Sequence, residues 1–527
     1  MKIKSIVSVL LFALISLACL SSKTKKEETA KIVSNNVTSQ VPSKPNIIFF
    51  SVDDMNDFVN PLGYHQAITP NLDRLASMGV SFTNAHAPAS FCAPSRTAIW
   101  TGLQSTTTGC YNTEVYFYDF PDLVPMHESF KQAGYNTYGA GKLFHHRAGY
   151  VDLDGWDEFY SRNKATRDVG YEMGYFGDDQ PRPKPYPYSP YNRREGYKMS
   201  GGHFMEFGPI AKEDDPEMMG VKRTKWVCDL LKKEHKNPFF LALGLYTPHF
   251  PNYAPQKYFD MYDLDKIQVP EILANDLDDI PEPMKKQMTN RTKIQKALED
   301  LGGTKEAVRG YLACVSYADG LLGEVLDALE ESAYKDNTII VFWSDQGYHI
   351  GEKGQWGKHT LWSETSRVPF FIAGKGIPKN KQVKSTVGLI DIYPTLTELC
   401  GLPAQHKMDG VSLVLLLMEA ESENNDKNLF IPYHKIGGYS VVNSNYRYIY
   451  YNEGGEEFYN VKEDYNEYHN LIKDENSRAI INEMKKVVPK NFRKPATNKS
   501  DLKLNFDGDG KFYWTGKKAN IKPQLNL

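Results

Sequence analysis

Four short apolar runs, each ending abruptly in polar residues, constrain this chain more than any other feature. They are NIIFFSVDD (46–54), YNTYGAGKLFHH (135–146), PFFLALGLYTPHFP (238–251) and NTIIVFWSDQGYH (337–349). Runs rich in Ile, Val and Phe without polar alternation predict strands buried on both faces, as in a parallel sheet. Helical patterns lie between them. TPNLDRLASMG (69–79) predicts a helix with Gly79 as a closing residue past its end. HESFKQAG (127–134) ends in the same way at Gly134. The segment 305–332 keeps Val308, Tyr311, Leu312, Val315, Leu322, Val325, Leu326 and Leu329 at helical spacing. Alternating strands and helices predict an α/β fold. Such sheets bind ligands beyond the carboxyl ends of their strands. The run ends would therefore bring Asp53, Asp54, Lys142, His145, His249, Asp345 and Gln346 to one rim.

The rest of the chain divides around that sheet. Its 527 residues suffice for a large domain and a smaller one. The start, MKIK followed by SIVSVLLFALISLA, has the form of an export signal, and its apolar run is too short to span a bilayer. Cys19 closes it in ISLAC and is expected as the lipidated residue of a lipoprotein signal covering 1–19. Residues 20–43 are polar, without apolar periodicity, and are expected as a disordered tether. Segment 44–424 is the expected catalytic domain. Between 146 and 220 a Pro-, Tyr- and charge-rich stretch reads as an insertion over the sheet. From about 425 to 527, YSVVNSNYRYIYYNEGGEEFYNV predicts strands with a turn at Gly454–Gly455, and SRAIINEMKKVV predicts a short helix. That is a smaller α+β subdomain. A net charge of -3 gives no global field for nucleic acid or an anionic membrane surface, so the expected membrane link is the lipid anchor alone. The six cysteines show no metal spacing, and no pairing follows from the sequence. The DGDG at 507–510 is expected as a turn rather than a Ca2+ loop.

The chemistry of the rim is that of a hard cation and an anion. Adjacent carboxylates such as Asp53 and Asp54 repel unless a cation sits between them. Oxygen ligands favour a hard divalent ion, and Asp345 with Gln346 would add two more. Lys142, Lys358, His145 and His249 supply donors for an anionic substrate and for proton transfer to a leaving oxygen. Cys92 stands apart. In SFCAPSRTAIWTG (90–102) it faces a predicted helix start, where a thiol is activated. A soft thiolate beside a hard-cation site is a chemical mismatch.

A resemblance resolves that mismatch. CAPSRTAIWTG matches the C-x-P-S-R-x-x-x-x-T-G signature of type I sulfatases, in the alkaline phosphatase superfamily. KPNIIFFSVDDM, TPNLDRLASMGVSFTNAHA, GAGKLFHH, FFLALGLYTPHFP, IIVFWSDQG, KHTLWSETSRVPF and DIYPTLTELCGLP also resemble sulfatase blocks in the family's order, closest to iduronate-2-sulfatase-like bacterial enzymes. The resemblance implies an α/β, alkaline-phosphatase-like fold: a large mixed, mostly parallel sheet flanked by helices, with the smaller C-terminal α+β domain.

It also implies that Cys92 is converted to formylglycine by a formylglycine-generating enzyme, and that the hydrated aldehyde is the nucleophile. Asp53, Asp54, Asp345 and Gln346 would hold Ca2+ together with position 92. Arg96 would orient the nucleophile, and Ser95 belongs to the maturation signature. Lys142 and Lys358 would hold sulfate, His145 would act on the second diol hydroxyl, and His249 on the leaving oxygen. His349 is expected to face the substrate. The implied activity is sulfate ester hydrolysis on a sulfated polysaccharide or oligosaccharide such as ulvan, carrageenan or a glycosaminoglycan. The implied setting is a bacterial lipoprotein at the cell surface or in the periplasm. The alternatives are a phosphodiesterase or phosphonate hydrolase of the same superfamily, and a catalytically silent sugar-binding lipoprotein.

Overall fold

The computed structural model describes residues 44–145, 155–160, 207–210, 216, 218–418, 426–506, 512–520 and 522. Cys19, the tether, His146, nearly all of the Tyr/Pro-rich stretch and the 507–510 turn lie outside them. An eight-stranded sheet organises the chain. Its strands are β1 (Asn46–Asp53), β2 (Gly79–Phe82), β3 (Asn136–Gly141), β4 (Glu158–Phe159), β5 (Phe239–Pro248), β6 (Thr338–Ser344), β7 (Phe370–Gly374) and β8 (Lys381–Val383). Their order across the sheet is β8-β2-β7-β6-β1-β5-β3-β4. β7 alone runs against its neighbours β6 and β2; the other pairings are parallel. All four apolar runs are strands, and they occupy adjacent places, β6-β1-β5-β3.

β1 is buried along its whole length. Its side chains alternate between two cores, as a strand's must. Ile48, Phe50 and Val52 share one core with Leu72 and Leu75 of α1 (Pro70–Met78), Val227 and Leu230 of α3 (Met219–Leu231), and Leu312, Val315 and Leu322 of α5 (Thr304–Glu330). Ile47 and Phe49 share the other with Ile99 and Trp100 of α2 (Cys92–Thr101) and Leu396 of α6 (Ile392–Leu399). Each such large apolar side chain stabilises by about 1.5–3 kcal/mol. Gly79 follows the last residue of α1 as expected, but in extended backbone, with φ -153°, and it also opens β2. A Cβ there would meet the Ile372 carbonyl at 2.3 Å, so the close approach of β7 demands glycine.

A second sheet follows in the C-terminal region. β9 (Leu429–Pro432), β10 (Tyr439–Val442), β11 (Arg447–Tyr450) and β12 (Glu456–Tyr459) form an antiparallel meander. Gly454 and Gly455 turn the last hairpin at φ 106° and 111°. One face packs on α7 (Ser477–Met484) through Ile481 and Met484. The other shares a core with Met284 and Met288 of α4 (Glu282–Arg291), and with Leu361 and Trp362. The sheet thus rests on the segment that carries Lys358. A last hairpin joins β13 (Leu502–Phe506) to β14 (Phe512–Gly516). Among the described residues Cys92, Cys110, Cys228, Cys314 and Cys400 are free thiols. No described helix is long and apolar enough to cross a membrane.

Candidate active site

The carboxyl ends of the four central strands converge as their sequence pattern requires. Asp53 ends β1, and Asp54 follows with φ 63°. That left-handed step is unusual for a residue with a Cβ. It is held by the Tyr311 hydroxyl, which donates to the Asp54 carbonyl at 2.8 Å. Lys142 leaves β3 where Gly141 lies so close to Gly244 that a Cβ would collide with the Gly244 carbonyl at 2.0 Å. The Lys142 amide bonds that same carbonyl at 2.9 Å. Asp345 and Gln346 follow β6, and His249 follows β5.

The residue at the centre is Cys92, at the first turn of α2 and fully buried. Lys358 Nζ lies 3.0 Å from its sulfur and 2.6 Å from Asp54 Oδ1. Lys142 Nζ lies 3.8 Å from the sulfur and pairs with Asp53 Oδ2. Gln346 Nε2 approaches the sulfur at 3.5 Å and donates to Asp54 Oδ1. One turn along α2, Arg96 donates through Nε to Asp345 Oδ2 at 2.7 Å and through Nη1 to the Lys142 carbonyl. The Ser95 hydroxyl donates to the Asp345 carbonyl. With Arg96 Nη2 also donating to the Val52 carbonyl at 3.4 Å, helix α2 is tied to the ends of β6, β3 and β1.

These charges set the protonation of the group at the centre. Burial pushes the Cys92 thiol up to about 12, although Lys142 and Lys358 pull it down. A thiol so held is not a nucleophile near neutral pH, and the activated-thiol reading of the helix start fails on desolvation. Asp53 behaves in the opposite way. Burial works against its charge, yet Lys142, His249, Lys358 and Arg96 hold it well below the usual range. Burial lifts Asp345 to about 7 against the pull of Arg96. Burial lowers His249 to about 4, so its ring is neutral, and Nδ1 is 2.5 Å from the Phe250 carbonyl. Burial opposes the charge of Lys358, but Asp54 holds it well above its ordinary value.

The donor set fits a hard cation. Asp53 Oδ1 and Asp54 Oδ2 are buried and accept no hydrogen bond. Ligand atoms of Asp53, Asp54 and Cys92 lie within 4.8 Å of one another. Buried oxygens without donors are costly unless a cation occupies the space between them. The sulfur of Cys92 is the one soft atom in the set, and an oxygen there would complete it. Asp345 is engaged differently: its Oδ1 already accepts the amides of Asp54 and Gln346, at 3.2 and 3.0 Å.

Two expected residues stand off this centre. The His145 ring packs edge-on against Phe91 at 5.1 Å and lines a small cavity beside α2 with Arg96 and Thr97. His349, expected to face the substrate, is fully buried, with Nε2 against Thr360 Oγ1 at 2.8 Å. The ring packs edge-on against Trp362 at 5.9 Å and does not line the cleft on the open side. The open side is a cleft of about 570 Å³ lined by Asp54, Phe91, His249, Arg291, Lys358, His359 and His434, among others. Arg291, His359 and His434 carried no sequence signal; only the place of His359 beside Lys358 pointed at it.

The family model for sulfatases matches residues 45–402. The chain belongs to the sulfatase family. It is a sulfuric ester hydrolase by that membership. A second model, the C-terminal region of N-sulphoglucosamine sulphohydrolase, matches 351–494 and so spans the meander. A sulfatase of Formosa agariphila is 38% identical over 91% of each chain. An ulvan-active sulfatase of the same organism is 27% identical over 84% of this chain and 80% of its own. Among solved structures, the phosphonate monoester hydrolase of Agrobacterium radiobacter superposes with a TM-score of 0.65 at 18% identity, over 90% of this chain and 100% of that one. That likeness is one of fold.

Proposed function

We propose that this sulfatase hydrolyses sulfate esters on a sulfated polysaccharide or oligosaccharide, using a formylglycine formed from Cys92 and a Ca2+ ion held by Asp53, Asp54, Asp345 and Gln346. The observation that carries the reading is the convergence of lysines, an arginine and donor-free buried oxygens on a thiol too basic to act as one. Formylglycine, once hydrated, supplies an oxygen nucleophile where the sulfur now stands. Bound Ca2+ supplies positive charge against the sulfate oxygens.

The remaining work falls to side chains already in place. Lys142 and Lys358 flank position 92 and suit a sulfate group that gains charge in the transition state. Arg96 fixes Asp345 and the Lys142 backbone, which keeps α2 in register with the strand ends. Gln346 presents its oxygen to a cation if its terminal amide turns over, since that bond has two near-equivalent settings. His249 is neutral in the free protein. An anionic ester beside it raises its proton affinity, which suits it to deliver a proton to the departing sugar oxygen. His145 is the candidate for the proton of the second hydroxyl at position 92.

The ulvan-active relative favours a glycan substrate, and the cleft is wide enough for a sugar ring. The sulfatase relative at 38% identity favours sulfate over the phosphonate chemistry of a fold neighbour. Export with a lipid on Cys19 and maturation by a formylglycine-generating enzyme complete the proposal. The test is coexpression with that enzyme. Mass spectrometry should find the aldehyde at position 92, and sulfate release should exceed phosphate and phosphonate hydrolysis. Chelation with EGTA should lower sulfate release by about 100-fold or more, with recovery on Ca2+ addition. An intact thiol at position 92 in a fully active protein would sink the mechanism.

A further inference from the structure

The cleft over Asp54, His249 and Lys358 does not end at the sulfate-holding lysines. It continues to a wall made by Arg291, His359 and His434. Arg291 closes α4, and its Nη2 donates to the Lys358 carbonyl. Among the described residues no carboxylate lies within ion-pair distance of its guanidinium, and burial lowers its pKa with only Tyr433 and Tyr348 opposing. A guanidinium offers five N–H donors. This one donates to the Lys358 carbonyl and otherwise lines a cleft with no carboxylate paired to it, which is costly for a part-buried cation.

The histidines beside it are also incompletely bonded. Their ring centroids are 4.7 Å apart, and Nδ1 of each is buried without a hydrogen-bond partner. Burial, Lys435 and Arg291 hold His434 down at about 4, against Glu453. Burial, His434, Lys358 and Arg291 hold His359 at about 2. Both rings are therefore neutral donors. His359 is further held at φ 72°, a left-handed conformation that a residue with a Cβ seldom adopts. It is pinned there by its own amide to the Ser90 carbonyl at 3.2 Å and by the Tyr433 hydroxyl to its carbonyl at 3.1 Å. Phe91 packs on its ring at 4.6 Å. The nearby Lys435 is already paired with Glu453 at 2.7 Å.

We propose that Arg291, His359 and His434 form a second anion subsite beside the sulfate pocket, and that the preferred substrate carries a second anionic group, a carboxylate or another sulfate, on the same or the adjoining sugar. The planar fork of Arg291 matches the paired oxygens of either group. The subsite deepens the sulfatase reading and rests on it for the position of the first sulfate.

The test measures binding to the Cys92→Ala protein by calorimetry, with matched disaccharides as probes. One has a single sulfate and neutral rings, one a single sulfate and a uronate, and one two sulfates. The second or third should bind about tenfold or more tightly than the first, and which of them does so identifies the anion. Arg291→Gln should reduce that preference to within about threefold, and His434→Gln should reduce it part-way. Equal affinity for all three probes overturns the subsite, as does a preference that survives in folded Arg291→Gln. If Arg291→Gln does not fold, the preference in His434→Gln decides: its survival unchanged overturns the subsite. Sulfate release from para-nitrophenyl sulfate by the mature wild type reports the first pocket separately. If it fails while the binding preference holds, the first reading falls and the second anion subsite stands.

Discussion

Two clusters of buried ion pairs among the described residues are built alike in residue type but not in closure. At the strand ends, Asp53, Asp54 and Asp345 meet Lys142, Lys358 and Arg96. Under the C-terminal meander, Glu467 and Asp276 meet Arg447 and Lys353. The second cluster is covered by protein on every named side, although Asp276 Oδ2, Glu457 Oε1 and Glu467 Oε1 also lack a hydrogen-bond donor. Arg447 pairs with Glu467 at 2.5 Å and donates to the Leu361 carbonyl and the Ser363 and Ser366 hydroxyls. Lys353 donates to the Glu467 carbonyl, and Trp362 donates to Glu457. Surplus acid there is quenched by protons: burial, Glu467 and Glu352 push Glu364 well above its ordinary range, and burial raises Glu457. In the first cluster Asp53 is held ionised, and Asp54 and Lys358 line the open cleft. One cluster is a closed joint between two parts of the chain. The other is a socket.

That contrast breaks if the two clusters respond alike to losing a cation. Arg447→Met strands Glu467 in a buried place and should cost roughly 3–5 kcal/mol in urea unfolding. Adding Glu467→Leu should recover part of the loss, and activity per folded molecule should stay within about threefold. Lys142→Gln should do the reverse. Its kcat/KM for sulfate release should fall by about 10²–10³, with the smaller change in unfolding midpoint. If Arg447→Met lost activity while keeping its stability, the joint would be part of the catalytic apparatus.

Particular residues show where the sequence was readable. Runs of Ile, Val and Phe ending in Asp or Lys predicted both the strands and the rim, because burial on two faces and a ligand at the strand end are local facts. The helix over 305–332 followed from the spacing of its apolar residues for the same reason, and the structure has it at Thr304–Glu330. Gly79 was placed correctly at the end of α1, but the reason it must be glycine comes from Ile372, on a strand nearly 300 residues away in the chain and invisible locally. His349 was misplaced because closeness in sequence to Asp345 says nothing about which way the chain turns next. The Arg447–Glu467 pair and the Arg291 wall depend on how the meander and α4 dock, and no periodicity encodes that.

The smallest expected effect sharpens the comparison through pH. Burial holds the Glu352 carboxyl at about 7, above the ordinary Glu value of 4.5. The folded state then binds this proton more tightly than the unfolded chain. The resulting stability is whole below about pH 4.5 and is lost as pH rises to 7. Glu352→Gln should remove that loss. Between pH 5 and 8 its unfolding free energy should gain on wild type by on the order of 1–3 kcal/mol, read from urea titrations. A parallel pair of pH profiles would show that Glu352 is ionised throughout and that protons do not close the joint.

β1 is the earliest strand of the sheet and also one of its innermost, with β5 and β6 on its two sides. The hydrogen bond from the Asp54 amide to Asp345 joins residues 291 apart. The centre of the sheet therefore cannot be completed until the last of those residues has left the ribosome, and contacts of such span form late. In the folded protein Cys92 is fully buried, out of reach of anything the size of a protein. Any enzyme that oxidises this residue has to act during a window in the life of the nascent chain. Under the proposed mechanism, a molecule that misses the window would fold with its thiol sealed in.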